Sequence, residues 1–151
     1  MDQEDKENIL DKYNKRFLEF GDSPKTIGWP KKRHKLRYHI LLSHWELEDA
    51  TILDFGCGFG DMFGYCQEKG IHLNYSGIDI NPLLIAEGRK KYPQTNLKVR
   101  NTFDQGLENS TDYIFSSGVH NVKIKKNEDF IKQTFELFDK FALKGFALNF
   151  L

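Results

Sequence analysis

The chain has 151 residues, of which 39% are hydrophobic and 13 are Phe, and its 22 basic side chains balance 22 acidic ones. Such a length buries roughly 68–70% of the unfolded surface, enough for one core and not for two, and zero net charge leaves no global field to recruit nucleic acid or an anionic membrane. No apolar stretch approaches the ~20 residues of a membrane span, the start MDQEDKEN is too acidic for a signal or transit peptide, and Cys57 and Cys66 form neither a disulfide framework nor a C-x-x-C pair. One cytoplasmic domain with reduced thiols is the expectation, with no nucleic acid and no membrane as partner.

Leu10, Tyr13, Phe17 and Phe20 recur at steps of three and four, which predicts an amphipathic helix that Gly21 and Pro24 terminate. Residues 21–30, GDSPKTIGWP, read as a loop, and Pro30 suits the first turn of a second helix running to about Trp45. Trp29 either closes over a ligand or docks that helix on the core. The basic run KKRHK at 31–35 opposes the helix dipole there, so it reads as a solvated face ahead of an anion site. His34, His39 and His44 are five apart and step about 140° each around a helix, so they share no metal-binding face.

Beyond residue 50 the pattern changes period. Apolar, β-rich runs stand at 51–55, 75–80, 97–101, 113–117 and 145–151, separated by helical segments from Gly60 to Lys69, Pro82 to Tyr92 and Glu128 to Lys144. Asn81 can cap the second of these, Pro93 stops it, and Gly145 is expected to close the third. Only the connection from about 102 to 112 lacks a clear helix. Alternating strands and helices imply right-handed crossovers and an α/β fold: a Rossmann-like, doubly wound, mainly parallel sheet of about five strands with N-terminal helices. A ligand then sits at the carboxyl ends of the strands, beside the first.

The stretch TILDFGCGFG, residues 51–60, places Asp54, Gly56, Gly58 and Gly60 in the pattern D-x-G-x-G-x-G. An apolar run, a carboxylate and alternate glycines describe a buried strand that turns tightly into a helix and leaves backbone bare for a ligand. The dinucleotide fingerprint would need glycine at 61 or 63, where the chain has Asp61 and Phe63. Asp79 follows Gly56 by 23 residues, near the ~20-residue separation that sets a carboxylate at the neighbouring strand end, facing a ribose.

Together these motifs resemble the small bacterial class I methyltransferases that use S-adenosylmethionine (SAM). The resemblance implies that Gly56, Cys57, Gly58 and Gly60 lie against the methionine part of SAM, that Asp54 reaches toward its ammonium group, and that Asp79 grips the ribose hydroxyls. Ile80 then packs on adenine, with Asn101, Thr102 and Phe103 lining the adenine pocket, and Ser116, Ser117 and Gly118 pass close to the cofactor beside the acceptor. His120 in the same loop is the candidate general base, having the only suitable ordinary pKa there.

The implied function is methyl transfer from SAM to a small polar acceptor, with S-adenosylhomocysteine (SAH) as product. A SAM-binding module without transfer and a SAM-cleaving enzyme are the alternative readings. The implied organisation is one structural domain, with 1–50 as a helical cover on the cofactor side and 51–151 as the SAM-binding core. That core ends at the fifth strand, where the family continues, and the apolar edge so left is expected to be covered by a second copy or a partner chain.

Overall fold

A computed structural model describes residues 1–30 and 33–150. The chain runs α1 (Gln3–Phe20), α2 (His34–Leu42), β1 (Thr51–Phe55), α3 (Asp61–Glu68), β2 (Asn74–Asp79), α4 (Pro82–Lys91), β3 (Asn96–Val99), α5 (Thr102–Gln105), β4 (Thr111–Ser117), α6 (Asn127–Phe141) and β5 (Ala142–Asn149). The five strands form one sheet in the order β3-β2-β1-β4-β5, and every neighbouring pair is parallel. The expected doubly wound sheet is what the chain builds, with the switch point between β1 and β4.

Because side chains alternate across a strand, β1 divides the core in two. Ile52 faces Tyr38, Leu41, Met62, Ile85 and Leu97, supplied by α2, α3, α4 and β3. Leu53 and Phe55 face Ile78, Ile114 and Phe138, with Phe103 and Phe146 packed around them. The second face is covered by α6 and the single turn α5, since the β3–β4 connection carries no longer helix.

The N-terminal segment is tied on largely by polar contacts. Asp2 caps α1 by accepting from the Asp5 amide, and the Asp5 carboxylate accepts from the Lys125 amide. Asn14 accepts from Asn81 Nδ2 at 2.9 Å, which anchors α1 beside the start of α4. Asn81 caps α4 as expected, accepting from the amides of Leu83 and Leu84.

Two boundaries differ from the sequence reading. The second helix begins at His34, because residues 21–30 are held in a looped turn by the Thr26 hydroxyl donating to the Gly21 carbonyl and the Trp29 amide to the Pro24 carbonyl. Lys31 and Lys32 of the basic run lie outside the described residues, as does Leu151 at the end of the last expected strand. The third long helix stops at Phe141, and Gly145 lies inside β5 opposite Tyr113. Gly145 is there for space: a Cβ would stand 2.6 Å from Trp45 Cζ3.

Trp45 cannot easily yield. Its ring packs edgewise on Tyr113 and Phe115, and its indole N–H donates to the Leu41 carbonyl at 3.1 Å. Gly145→Ala is therefore expected to destabilise the fold by about 1–3 kcal/mol, measured as a lowered denaturant midpoint at unchanged slope.

Candidate functional site

The carboxyl ends of β1, β2 and β4 and the start of α5 converge on a mostly apolar cleft with an empty volume of about 1060 Å³, open solvent at its mouth included. Tyr13 from α1, Ile27 and Trp29 from the loop before α2, and Tyr38 on α2 form the wall opposite the strand ends.

The glycine turn follows from its backbone. Gly56 has φ 73°, and a Cβ on it would come within 2.1 Å of Val119 Cγ2, so any side chain would force the turn after β4 away. Gly118, at φ 81°, opens that turn and leaves room for the Trp29 ring, whose Cζ2 would lie 3.1 Å from an added Cβ. These two glycines let the loops after β1 and β4 meet at the switch point.

Asp79 ends β2 at the cleft floor. Its Oδ2 accepts from the Gly58 amide at 2.9 Å and its Oδ1 from the Asn81 amide at 2.8 Å. Burial nevertheless raises its pKa, against the lowering effect of the amides of Asn81, Gly58 and Ile80. Each carboxylate oxygen keeps a lone pair free for a further donor. Half-buried at the cleft floor, the carboxylate is a fixed acceptor pair beside bare glycine backbone.

Asp54 is 3% exposed and accepts from the Tyr75 hydroxyl at 2.6 Å. Burial pushes its carboxyl up to about 7, although that hydrogen bond and the nearby Arg37 guanidinium pull the other way. Arg37 stacks on Trp29 and Tyr38, its Cζ standing 4.5 Å and 4.2 Å from their ring centres.

Most of the residues singled out in the sequence border this one cleft. Asp54, Gly56, Cys57, Gly58, Asp79, Ile80, Asn101, Thr102, Phe103, Ser117 and Gly118 all do so. Gly60 and Ser116 do not. Gly60 begins α3, where an added Cβ would meet Leu97, and Ser116 is fully buried in β4. Asn101 also spends its side chain locally, capping α5 through the Phe103 amide and donating to Asp104 at 2.6 Å.

The general-base role expected of His120 finds no support in the geometry. The ring is buried outside the residues that border the cleft, against Phe130 and Phe150. Thr134 donates its hydroxyl proton to the Phe130 carbonyl, so His120 Nε2 must carry the proton shared with Thr134 Oγ1 at 3.1 Å. Burial lowers the imidazole pKa to about 4, leaving it neutral across the physiological range. Arg37, Tyr38 and Tyr13 are among the cleft residues that the sequence motifs do not single out as site residues.

Residues 52–140 match the family model described as a methyltransferase domain. The chain belongs to this family. A Mycobacterium tuberculosis protein that carries the name methyltransferase, Rv1506c, is 25% identical over 105 residues, which cover 67% of this chain and 63% of that protein. The mycolic acid cyclopropane synthase CmaA1, solved with SAH and CTAB, superposes with a TM-score of 0.72 at 15% identity, covering 95% of this chain and 55% of the synthase. A TehB-like SAM-dependent methyltransferase from Corynebacterium glutamicum gives 0.60 at 21% identity, covering 99% of this chain and 74% of its own. The two structural likenesses carry the fold. The chain spans 63% of the length of Rv1506c and 55% of that of the synthase.

In this methyltransferase domain the buried Asp54 couples the site to pH. Its folded pKa of about 7 lies above the ordinary 3.8, so the folded chain holds a proton that the unfolded chain has released, and stability falls as pH rises from about 4 to 7. Asp54→Asn is expected to be more stable than the wild type by roughly 2–4 kcal/mol at pH 8, the gain vanishing near pH 4, as read from denaturant melts across that range.

Proposed function

We propose that the cleft binds SAM and that the chain transfers its methyl group to a small polar acceptor, releasing SAH. The observation that carries this reading is the Asp79 carboxylate, which borders the cleft, is fixed at the end of β2 by the Gly58 and Asn81 amides and keeps a lone pair on each oxygen. Two ribose hydroxyls satisfy those lone pairs. Family membership over residues 52–140 supports the same reading.

SAM would supply an electrophilic methyl group on a sulfonium. The side chains here bind, orient and exclude water. Phe103 and Ile80 offer apolar faces at the β2 and β3 ends, suited to a purine. Gly56 and Gly118 admit the ligand close to backbone at the β1 and β4 ends, and Trp29 and Tyr38 shield that end from solvent. Transfer to a nucleophile then depends on alignment, which is worth ~7–11 kcal/mol where two partners are held in line. A neutral, buried His120 is consistent with a reaction that does not draw on it.

Calorimetry with SAH on the wild type and on Asp79→Ala tests the assignment. Loss of two hydrogen bonds to a charged group, about 1.5–3 kcal/mol each, is expected to weaken SAH by 100-fold or more. Equal affinity in the two proteins would remove the ribose role from Asp79. Incubation with methyl-labelled SAM then separates label appearing only in an added acceptor, as transfer requires, from breakdown without one.

A further inference from the structure

Past Gly118 the border of the cleft changes character. At the strand ends it carries Arg37, Asp54, Asp79, Asn101 and Ser117, whereas from Val119 onward the bordering residues are Val119, Val122, Ile124 and Phe130. Ile9 of α1 and Met1 just before that helix join them. None of these six side chains carries a charge or a strong hydrogen-bonding group.

The chain after the β4 turn explains the pattern. Val122 is extended, with φ −81° and ψ 125°, and side chains along extended backbone alternate between two sides. Val122 is half-buried and Ile124 is buried, while Lys123 and Lys125 are exposed and the Lys125 ammonium pairs with Asp2 and Glu4 at the head of α1. Backbone polarity is spent outside the cleft as well. The Ile124 amide donates to Asn127 Oδ1 at 2.8 Å and the Lys125 amide to the Asp5 carboxylate at 3.4 Å, and neither Asn127 nor Asp5 borders the cleft. Phe130 packs on Phe103 with ring centres 5.1 Å apart, so the apolar wall is continuous with the start of α5. A ligand body bearing charges or several hydroxyls would lose water here and find no partner in return.

We infer that this wall receives the acceptor, and that the acceptor is a small aryl or alkyl compound polar only at its nucleophilic atom. The inference rests on the cofactor reading above and narrows the acceptor class of that same cleft. With the nucleoside assigned to Asp79, Ile80 and Phe103, the stretch from Val119 to Ile124 is the part of the border that the cofactor's polar groups do not need. No side chain on it accepts a proton, so the nucleophile arrives with its lone pair free, as a thiolate or an uncharged amine does. That lone pair forms the bond to the methyl carbon while the carbon–sulfur bond breaks and leaves its electron pair on the sulfur of SAH; an amine then sheds one proton to water.

The test uses two thiols that differ in body, phenylmethanethiol and 2-mercaptoethanol, titrated by calorimetry into the SAH-loaded protein. Phenylmethanethiol is expected to bind about tenfold or more tightly than 2-mercaptoethanol. Val122→Thr keeps the shape and adds a hydroxyl; it should weaken phenylmethanethiol threefold or more and leave SAH affinity unchanged, which also reports an intact fold. Should that variant fail to fold, Ile9→Gln serves, with the same expected loss and the same SAH control. Equal binding of the two thiols, binding of neither, or a preference for 2-mercaptoethanol overturns the inference, as does a phenylmethanethiol affinity that the substitution leaves unchanged. A wild type that does not bind SAH overturns the cofactor reading and this inference with it, a result distinct from one in which SAH binds and the thiols are not told apart.

Discussion

The carboxylate of Asp79 joins two elements that the chain makes separately. β2 ends where its last residue can accept from the Gly58 amide of the turn after β1, and the same group accepts from Asn81 at the head of α4. Asn81 in turn caps α4 and donates to Asn14 of α1. One side chain thus sets the glycine turn, the crossover helix and the N-terminal cover in register with each other. Those bonds also oppose the burial that raises its pKa.

The other end of the cleft is arranged on the opposite principle. Asp54 and Arg37 are both withdrawn from water, and neither is paired with the other. An unpaired buried charge costs several kcal/mol, and the proton retained by Asp54 up to about pH 7 is how the fold reduces that cost in the absence of a ligand. Such a site is less stable than an apolar one of the same shape would be. Preorganisation is the compensating gain, since stacking on Trp29 and Tyr38 holds the guanidinium and the Tyr75 hydroxyl holds the carboxyl in fixed positions.

What was legible in the sequence is what short-range rules determine. β1 with its glycine turn and Asp79 at the end of β2 could be placed because strand period, turn chemistry and crossover length all act within about thirty residues. The α6–β5 boundary could not. Gly145 reads as a helix terminator, and it is instead the gap into which Trp45, a hundred residues earlier, fits against Tyr113 and Phe115. His120 illustrates the same limit for chemistry. A loop histidine has a suitable ordinary pKa, but the hydroxyl of Thr134 and the rings of Phe130 and Phe150 bury it and leave it neutral.

Arg37 was hidden for a related reason with the opposite result. Within HKLRYHILL it reads as one more polar position on a short helix, next to a basic run that suggests a solvated surface. Packing of α2 across the β4–β5 side of the sheet brings it 80 residues forward to Ser117, and stacking on Trp29 turns its head into the cleft. The two ends of the site therefore differ in how they are encoded. The Asp79 end of the cleft is set by a local motif, whereas the Arg37 end depends on which helix the chain lays over β4.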